Sequence, residues 1–157
     1  PAESARLAGE MLSRLRADNA TTETVVRLVT WHDKNIPRTR SGVARALGKL
    51  GERDLRRLLE VKRADNLAQA PDYRFMREEI DRAEAILDQL LGEGACVSLE
   101  QLAMNGRDLL ELGFTGPAVG RTLRALLGAV LDERLPNERS ALLAAARNDT
   151  DIKERHP

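Results

Sequence analysis

Residues 105–120 decide the fold, and they read NGRDLLELGFTGPAVG. The apolar spacing on either side of two glycines predicts a short helix, a tight turn and a long helix. Gly113 and Gly116 bracket the turn, because glycine adopts positive φ at no steric cost. Pro117 is predicted at the first position of the long helix, where its missing N–H is not needed. The remaining N–H groups at this helix start form a small electropositive site suited to a phosphate.

Helix-forming residues dominate the rest of the chain, and strand signals are almost absent. Gly51 is predicted to end one helix, Pro71-Asp72 to break the chain and residues 149–157 to fray. We therefore predict an all-α fold of about eight helices in an irregular array. Besides a short helix before the glycine turn, the predicted helices span about 4–16, 21–34, 41–50, 52–70, 73–91, 117–133 and 138–146. The 52–70 helix has apolar residues beyond one stripe, which predicts a buried, central helix.

A glycine-containing segment at residues 92–98 is the best candidate for a boundary between subdomains. It separates a predicted body region, residues 1–92, from a predicted tail region, residues 93–157. The chain begins at Pro1, without a methionine and directly before a helix, which we interpret as a fragment of a longer protein.

The charge distribution is uneven although the net charge is zero. Residues 1–63 carry 14 lysines and arginines against 8 aspartates and glutamates, and residues 64–157 carry 11 against 17. This asymmetry indicates a polyanionic partner for the first half, or a solvated helical surface with uneven charge. Aromatic residues make up only 3% of the chain, which argues against a base-stacking platform. A single cysteine and the absence of a long apolar run favour a cytoplasmic location without a membrane span.

Basic residues in the first half are the main candidates for contacts with a nucleic-acid backbone. The guanidinium fork matches phosphate oxygens, and several arginines lie on a predicted loop or helix edge. For any single residue, a plain role on the solvated surface is the alternative. The candidates are Lys34, Arg38, Arg40, Arg45, Arg56 and Arg57.

The long helix after the glycine turn offers a second group of candidates, namely Gly116, Gly120, Arg121 and Arg124. Gly120 and Gly128 lie on its less apolar side, and a glycine inside a helix costs about 1 kcal/mol relative to alanine. Their presence predicts the close approach of a nucleic-acid strand or of another helix. The hairpin as a whole resembles a helix-hairpin-helix module that binds a DNA backbone.

His32 and Asp65 each interrupt the apolar face of a predicted helix. A buried carboxylate needs a partner, and an imidazole can provide one. The two residues are predicted to be either ligands of a metal site or a satisfied hydrogen-bonded pair in the core, and two ligands alone do not make a metal site. The sequence contains no nucleophile–base–acid set and no phosphate-binding glycine loop, so no catalytic residue is assigned.

A longer pattern around the hairpin resembles a known family. Residues 99–131 follow LxxLAMNGRDLxxLGxxGPxxGxxLxxLLxxVL and are followed by LPNE at 135–138. This run looks like the C-terminal part of bacterial CCA-adding tRNA nucleotidyltransferases of the poly(A) polymerase type. The earlier runs LVTWHD at 28–33 and RADNLAQ at 63–69 resemble the second half of the HD-type domain that some members carry. Only His32 and Asp65 match HD positions, since the earlier histidine and the His-Asp element of that signature are missing.

The resemblance implies a function for the intact enzyme. Such enzymes add C, C and A to the tRNA 3′ end from CTP and ATP, and a catalytic head that holds Mg²⁺ performs the transfer. The helical body and tail grip the acceptor and TΨC part of tRNA by its backbone. For this chain, the resemblance therefore implies tRNA docking, with no cofactor of its own and with both nucleotides bound elsewhere. The two alternatives are a fragment of a metal-dependent HD-type phosphohydrolase and a helix-hairpin-helix module for duplex DNA.

Overall fold

The computed structural model describes residues 2–68 and 75–148. This part of the chain contains seven α-helices and no strand, which confirms the predicted all-α fold. A 3₁₀ turn, Leu99–Gln101, precedes the fifth helix. The breaks predicted at Pro71-Asp72 and at residues 149–157 lie outside the described residues. The helices are α1 Ala2–Arg14, α2 Asn19–Trp31, α3 Arg40–Ala68, α4 Phe75–Gly92, α5 Gly106–Glu111, α6 Pro117–Leu131 and α7 Arg139–Asn148.

The chain divides into two compact units. Unit 1 spans Pro1–Leu91, and unit 2 spans Gly92–Pro157. That the first acts as an HD-like body and the second as a tail stays a prediction.

Helices α3 and α4 supply most of the core of unit 1. Leu55, Leu58 and Leu87 are at most 1% exposed. Gly51 has φ 74° and ψ 165° inside α3, so the backbone turns where the sequence predicts one helix to end and the next to begin. Glycine adopts this conformation without the steric penalty that a Cβ would cause.

Two apolar patterns are more exposed than their spacing predicts. On α3, Val61 is 42% and Leu67 is 68% exposed, so the second half of this helix is not buried throughout. The apolar residues of this helix spread beyond one stripe, but this spread does not mean burial, since some of them face solvent. On α1, Met11 is 62% exposed, and Leu15, which follows the end of this helix, is 74% exposed.

Gly42 lies in the first turn of α3, in close contact with the preceding loop. A Cβ at this position would lie 2.3 Å from the Pro37 carbonyl oxygen and 2.7 Å from the Pro37 Cβ. The Gly42 N–H donates to the Thr39 hydroxyl at 3.1 Å. The close approach of loop and helix therefore requires glycine, a constraint that the sequence analysis did not predict.

Unit 2 has a separate hydrophobic core formed around α5, α6 and α7. Leu109 of α5 and Leu142 of α7 are completely buried, and Phe114 of the turn is 3% exposed. Leu126 of α6 belongs to the same cluster. The glycine turn thus places an aromatic side chain in the core while its two glycines stay at the surface.

Candidate nucleic-acid interface

Two of the predicted phosphate contacts in unit 1 are engaged by carboxylates. Arg38 lies on the loop before α3 and forms an ion pair with Glu79 of α4. Arg56 of α3 donates to Glu52 at 3.0 Å and to Asp88 at 2.7 Å. A guanidinium that is already paired with one or two carboxylates has less charge to offer a phosphate. These two residues are therefore weaker candidates than their sequence positions suggest.

The remaining candidates in unit 1 differ in their surroundings. The Lys34 ammonium lies 4.2 Å from the centroid of the Trp31 ring, within the range of a cation–π contact. Arg40 and Arg45 both have interactions within the chain, and Arg45 is exposed. Arg57 is exposed, and its guanidinium reaches Asp54 only at 4.0 Å.

A buried carboxylate organises the arginines between α2 and α3. The Asp54 side chain is only 4% exposed and accepts from Arg27 at 2.8 Å. Arg53 approaches the other oxygen of the same carboxylate at 3.4 Å, and Arg57 approaches it at 4.0 Å. No local pattern in the sequence identifies this pair, because the contact between Arg27 and Asp54 spans 27 positions. Three guanidinium groups therefore share one buried negative charge.

His32 and Asp65 are not the buried pair that their helix positions predict. The His32 side chain is 41% exposed, and Asp65 is also exposed. The His32 ring contacts the Val29 carbonyl through Nδ1 at 2.6 Å and Asp33 through Nε2 at 2.9 Å. His32 is the C-cap of α2, and the apolar stripe that it continues is itself only half-buried.

The structure nevertheless brings His32 and Asp65 to the same cavity, which has a volume of about 210 Å³. Lys62 lines this cavity and donates to the carbonyl oxygens of His32 at 2.6 Å and Lys34 at 3.0 Å. Burial lowers the pKa of the Lys62 ammonium, although nearby carboxylates partly oppose the effect. Lys62 thus stabilises the C-terminal end of α2, where unpaired carbonyl groups favour a cation.

In unit 2, the backbone of the glycine turn agrees with the prediction. Gly113 has φ 89° and Gly116 has φ 53°, and Pro117 begins α6. The N–H groups at this helix start are not available as predicted, however. The Ala118 N–H donates to the Thr115 carbonyl at 3.2 Å, and the Val119 N–H donates to Gly116 at 3.3 Å. The tight turn uses these donors itself, so the predicted phosphate site at this terminus loses much of its basis.

The surface of α6 places Arg124 over Gly120. A Cβ at Gly120 would have the Arg124 guanidinium as its nearest neighbour, at 3.5 Å. Close packing of another helix therefore does not explain this glycine. The tight approach within the hairpin occurs at Gly106 instead, where a Cβ would lie 3.3 Å from the Val119 side chain. Arg121 and Arg124 are both exposed, and their proposed contact with RNA stays a prediction.

The polar residues of the family-like motif form a structural network that the sequence analysis missed. The Asn105 side chain accepts from the Arg107 N–H at 2.8 Å, and Asp108 accepts from the Asn105 N–H at 2.8 Å. Asp108 is 7% exposed and also pairs with Arg139 at the start of α7. The spacing of Asn105 and Asp108 is a capping box, which is a readable signal for a helix start.

Asn137 ties the other end of this motif to the 3₁₀ turn. Its side-chain oxygen accepts from the Ala103 N–H at 2.8 Å, and its amide donates to the Gln101 carbonyl at 3.0 Å. These contacts join positions more than 30 residues apart in the chain. The motif that distinguishes this sequence therefore holds unit 2 together.

The carboxylate of Asp108 should make the stability of unit 2 depend on pH. The Asn105 N–H and then the Arg139 guanidinium lower the pKa of Asp108. Because the folded pKa lies below the unfolded one, the stabilising effect is complete above about pH 4 and is lost as the pH falls through the folded pKa. We expect Asp108→Asn to destabilise unit 2 at pH 7 and to flatten its pH dependence below pH 4. Hydrogen exchange of the α6 amides measures this effect, and identical pH profiles for both proteins would contradict it.

Across residues 2–68 and 75–148, no group of three or more His, Cys, Asp and Glu side chains is arranged to hold a metal ion. None of the helices described for these residues is long and apolar enough to cross a membrane.

Comparison with known proteins identifies the chain. The architecture is that of an all-helical protein of two compact units. Residues 4–146 match the family described as tRNA nucleotidyltransferase domain 2, and the chain belongs to this family. The relationship predicted from the sequence motifs is thereby confirmed at the level of tRNA nucleotidyltransferases. No curated protein and no solved structure gives a significant match.

Proposed function

We propose that this chain is the tRNA-docking part of a CCA-adding tRNA nucleotidyltransferase. The observation that carries the proposal is the family match, which extends over residues 4–146. A catalytic head elsewhere in the enzyme would bind CTP and ATP, hold Mg²⁺ and perform the nucleotidyl transfer. We expect the enzyme to act in the cytoplasm. The helical units would hold the acceptor and TΨC part of tRNA in position.

The composition supports recognition of RNA by shape and charge. Aromatic residues are 3% of the chain, and residues 1–63 carry 14 basic against 8 acidic residues. Structured RNA is recognised largely through its phosphates and its shape, which requires few stacking rings. Zero net charge over the whole chain would limit non-specific binding, which is mostly electrostatic.

We assign no chemical step to the described residues. His32 and Asp65 line one cavity, but the described residues provide no third ligand that would complete a metal site with them. We expect Mg²⁺ to act in the catalytic head and not on the described residues. The function we propose is binding and positioning of the substrate.

A binding experiment with the chain itself tests this function. We expect a tRNA transcript to bind more tightly than duplex DNA of equal length and than an unstructured RNA of equal length. If about three phosphates are contacted, affinity should fall roughly 20- to 40-fold between 50 and 200 mM salt. Fluorescence anisotropy titrations at several salt concentrations provide the measurement.

The same titrations separate the alternatives. Equal or tighter binding to duplex DNA would contradict tRNA docking and favour a helix-hairpin-helix DNA module. Equal binding to unstructured RNA would show that charge alone, and not tRNA shape, is recognised. A hydrolytic HD-type function would instead require divalent metal bound through His32 and Asp65, which isothermal titration of wild-type and His32→Ala protein with Mn²⁺ detects.

A further inference from the structure

An open groove of about 410 Å³ lies between the first half of α2 and the middle of α3 in unit 1. Val25 and Leu28 contribute its apolar lining, and Thr21 contributes a hydroxyl from α2. Arg53 and Arg57 line it from α3, where their spacing of four positions places both on one side of the helix. We call this feature the Arg53–Arg57 groove.

The two arginines of the groove share their one contacting carboxylate with a third arginine. Asp54 is the carboxylate nearest to both arginines, and Arg27 already makes the short contact with it, at 2.8 Å. Arg53 reaches Asp54 only through Nε at 3.4 Å, and Arg57 reaches it only at 4.0 Å. The side chain of Arg53 is 71% exposed and that of Arg57 is 47% exposed. Both side chains are therefore open to solvent around a single shared carboxylate.

Neighbouring arginines on the same helix show the contrast. Arg56 lies beside Arg57 in sequence but is paired with Glu52 and Asp88. Arg63 is paired with Asp81 at 2.7 Å and with Glu84 at 2.6 Å. The charge of α3 is thus neutralised on the side that meets α4 and remains available on the side that meets α2.

Thr21 contributes a hydrogen-bond acceptor to the groove. It is 2.7 Å from Asp18 Oδ2, and an ionised carboxylate only accepts, so the hydroxyl of Thr21 must donate. Its oxygen then has only acceptor capacity left for a ligand. A phosphate has no proton to give at neutral pH, whereas a ribose 2′-hydroxyl does. Asp18 also occupies the start of α2, so a phosphate is favoured at the arginines and not at this helix terminus.

We propose that the Arg53–Arg57 groove seats a segment of RNA sugar–phosphate backbone. Both guanidinium groups bind phosphate oxygens, the oxygen of Thr21 accepts from a ribose 2′-hydroxyl, and Val25 and Leu28 contact the sugar. This assignment rests on the proposed tRNA docking and specifies where in unit 1 the backbone is held. It keeps Arg57 from the residues predicted by the sequence and adds Arg53 as the second principal contact. Arg38 and Arg56, which are paired with carboxylates, are no longer principal contacts.

A charge-matched pair of double variants tests the phosphate contacts. We expect Arg53→Gln/Arg57→Gln to weaken tRNA binding at least tenfold at 50 mM salt and to reduce the slope of log K against log salt by about 1.5 to 2, as for two lost phosphate contacts. The control Arg56→Gln/Arg63→Gln removes the same charge from α3 and should keep the wild-type slope. Circular dichroism tests whether each variant is folded. In the Arg53→Gln/Arg57→Gln variant, Arg27 still pairs with the buried Asp54 carboxylate.

The outcomes separate this proposal from the proposed function. If wild-type protein does not prefer tRNA, the docking function itself fails. If wild-type protein binds tRNA but the Arg53/Arg57 variant keeps its salt slope, or if both double variants lose affinity equally, the groove assignment alone is overturned.

A second comparison tests the 2′-hydroxyl contact. We expect Thr21→Val to weaken binding of an RNA acceptor-stem minihelix several-fold and to leave binding of the DNA version unchanged. Thr21→Ser keeps the hydroxyl and should restore RNA binding. An equal loss for RNA and DNA, or no loss for either, would overturn the role of Thr21.

Discussion

Replacing Gly42 with alanine is expected to lower the free energy of unfolding of unit 1 by about 3 kcal/mol, the upper part of the usual range for overpacking. The added Cβ would lie 2.3 Å from the Pro37 carbonyl oxygen, and the next two nearest atoms also belong to Pro37. The obstacle is backbone and ring, which cannot move aside as a flexible side chain can. The better helix propensity of alanine, about 1 kcal/mol, does not offset this clash.

Urea unfolding followed by tryptophan fluorescence measures the effect, because the single tryptophan, Trp31, lies in unit 1. Gly9→Ala is the matched control in the same unit. Its Cβ would meet Val26 at 3.5 Å, an ordinary contact, so this variant should be as stable as the wild type or up to about 1 kcal/mol more stable. Equal stability of the two variants would contradict the close contact between Pro37 and α3.

Replacing Arg27 with leucine should destabilise unit 1 by about 2 kcal/mol. The variant leaves the Asp54 carboxylate, 4% exposed, without its closest partner. Removing one member of a buried pair typically costs 3–5 kcal/mol, and the lower figure reflects compensation by Arg53 and Arg57. The same tryptophan-detected unfolding provides the measurement.

A second substitution distinguishes charge burial from lost packing. In the Arg27→Leu background, Asp54→Asn removes the ionised group and should recover part of the lost stability. If the cost of Arg27→Leu arises from packing alone, Asp54→Asn will add a further loss instead. A double-mutant cycle over these two positions gives the coupling free energy directly.

Local features of the chain were predictable because they depend on neighbouring residues. Gly51 and Gly113 both have positive φ, at the positions where the sequence predicts a helix to end or turn. Pro117 begins α6, since its fixed φ suits the first helical position. The Asn105–Asp108 capping box is an equally local signal, although both residues also belong to the family motif.

Burial was predicted less well, because periodicity shows which residues share a face but not what covers that face. His32 continues an apolar stripe of α2 and is nevertheless 41% exposed at the helix end. Met11 belongs to a regular stripe of α1 and is 62% exposed. Pairing of Gly42 with Pro37 depends on how a loop folds back on a helix, which no local pattern expresses.

The sequence by itself determined the helical class, the turns and the family, because helix propensity, glycine and proline act over a few positions and the motif is a linear pattern. Only the tertiary structure decided which arginines remain available to a nucleic acid. Arg56 and Asp88 are 32 positions apart, and Arg27 and Asp54 are 27 apart. Ion pairs of this kind form when helices pack side by side, so two adjacent arginines on one helix, Arg56 and Arg57, acquire different surroundings.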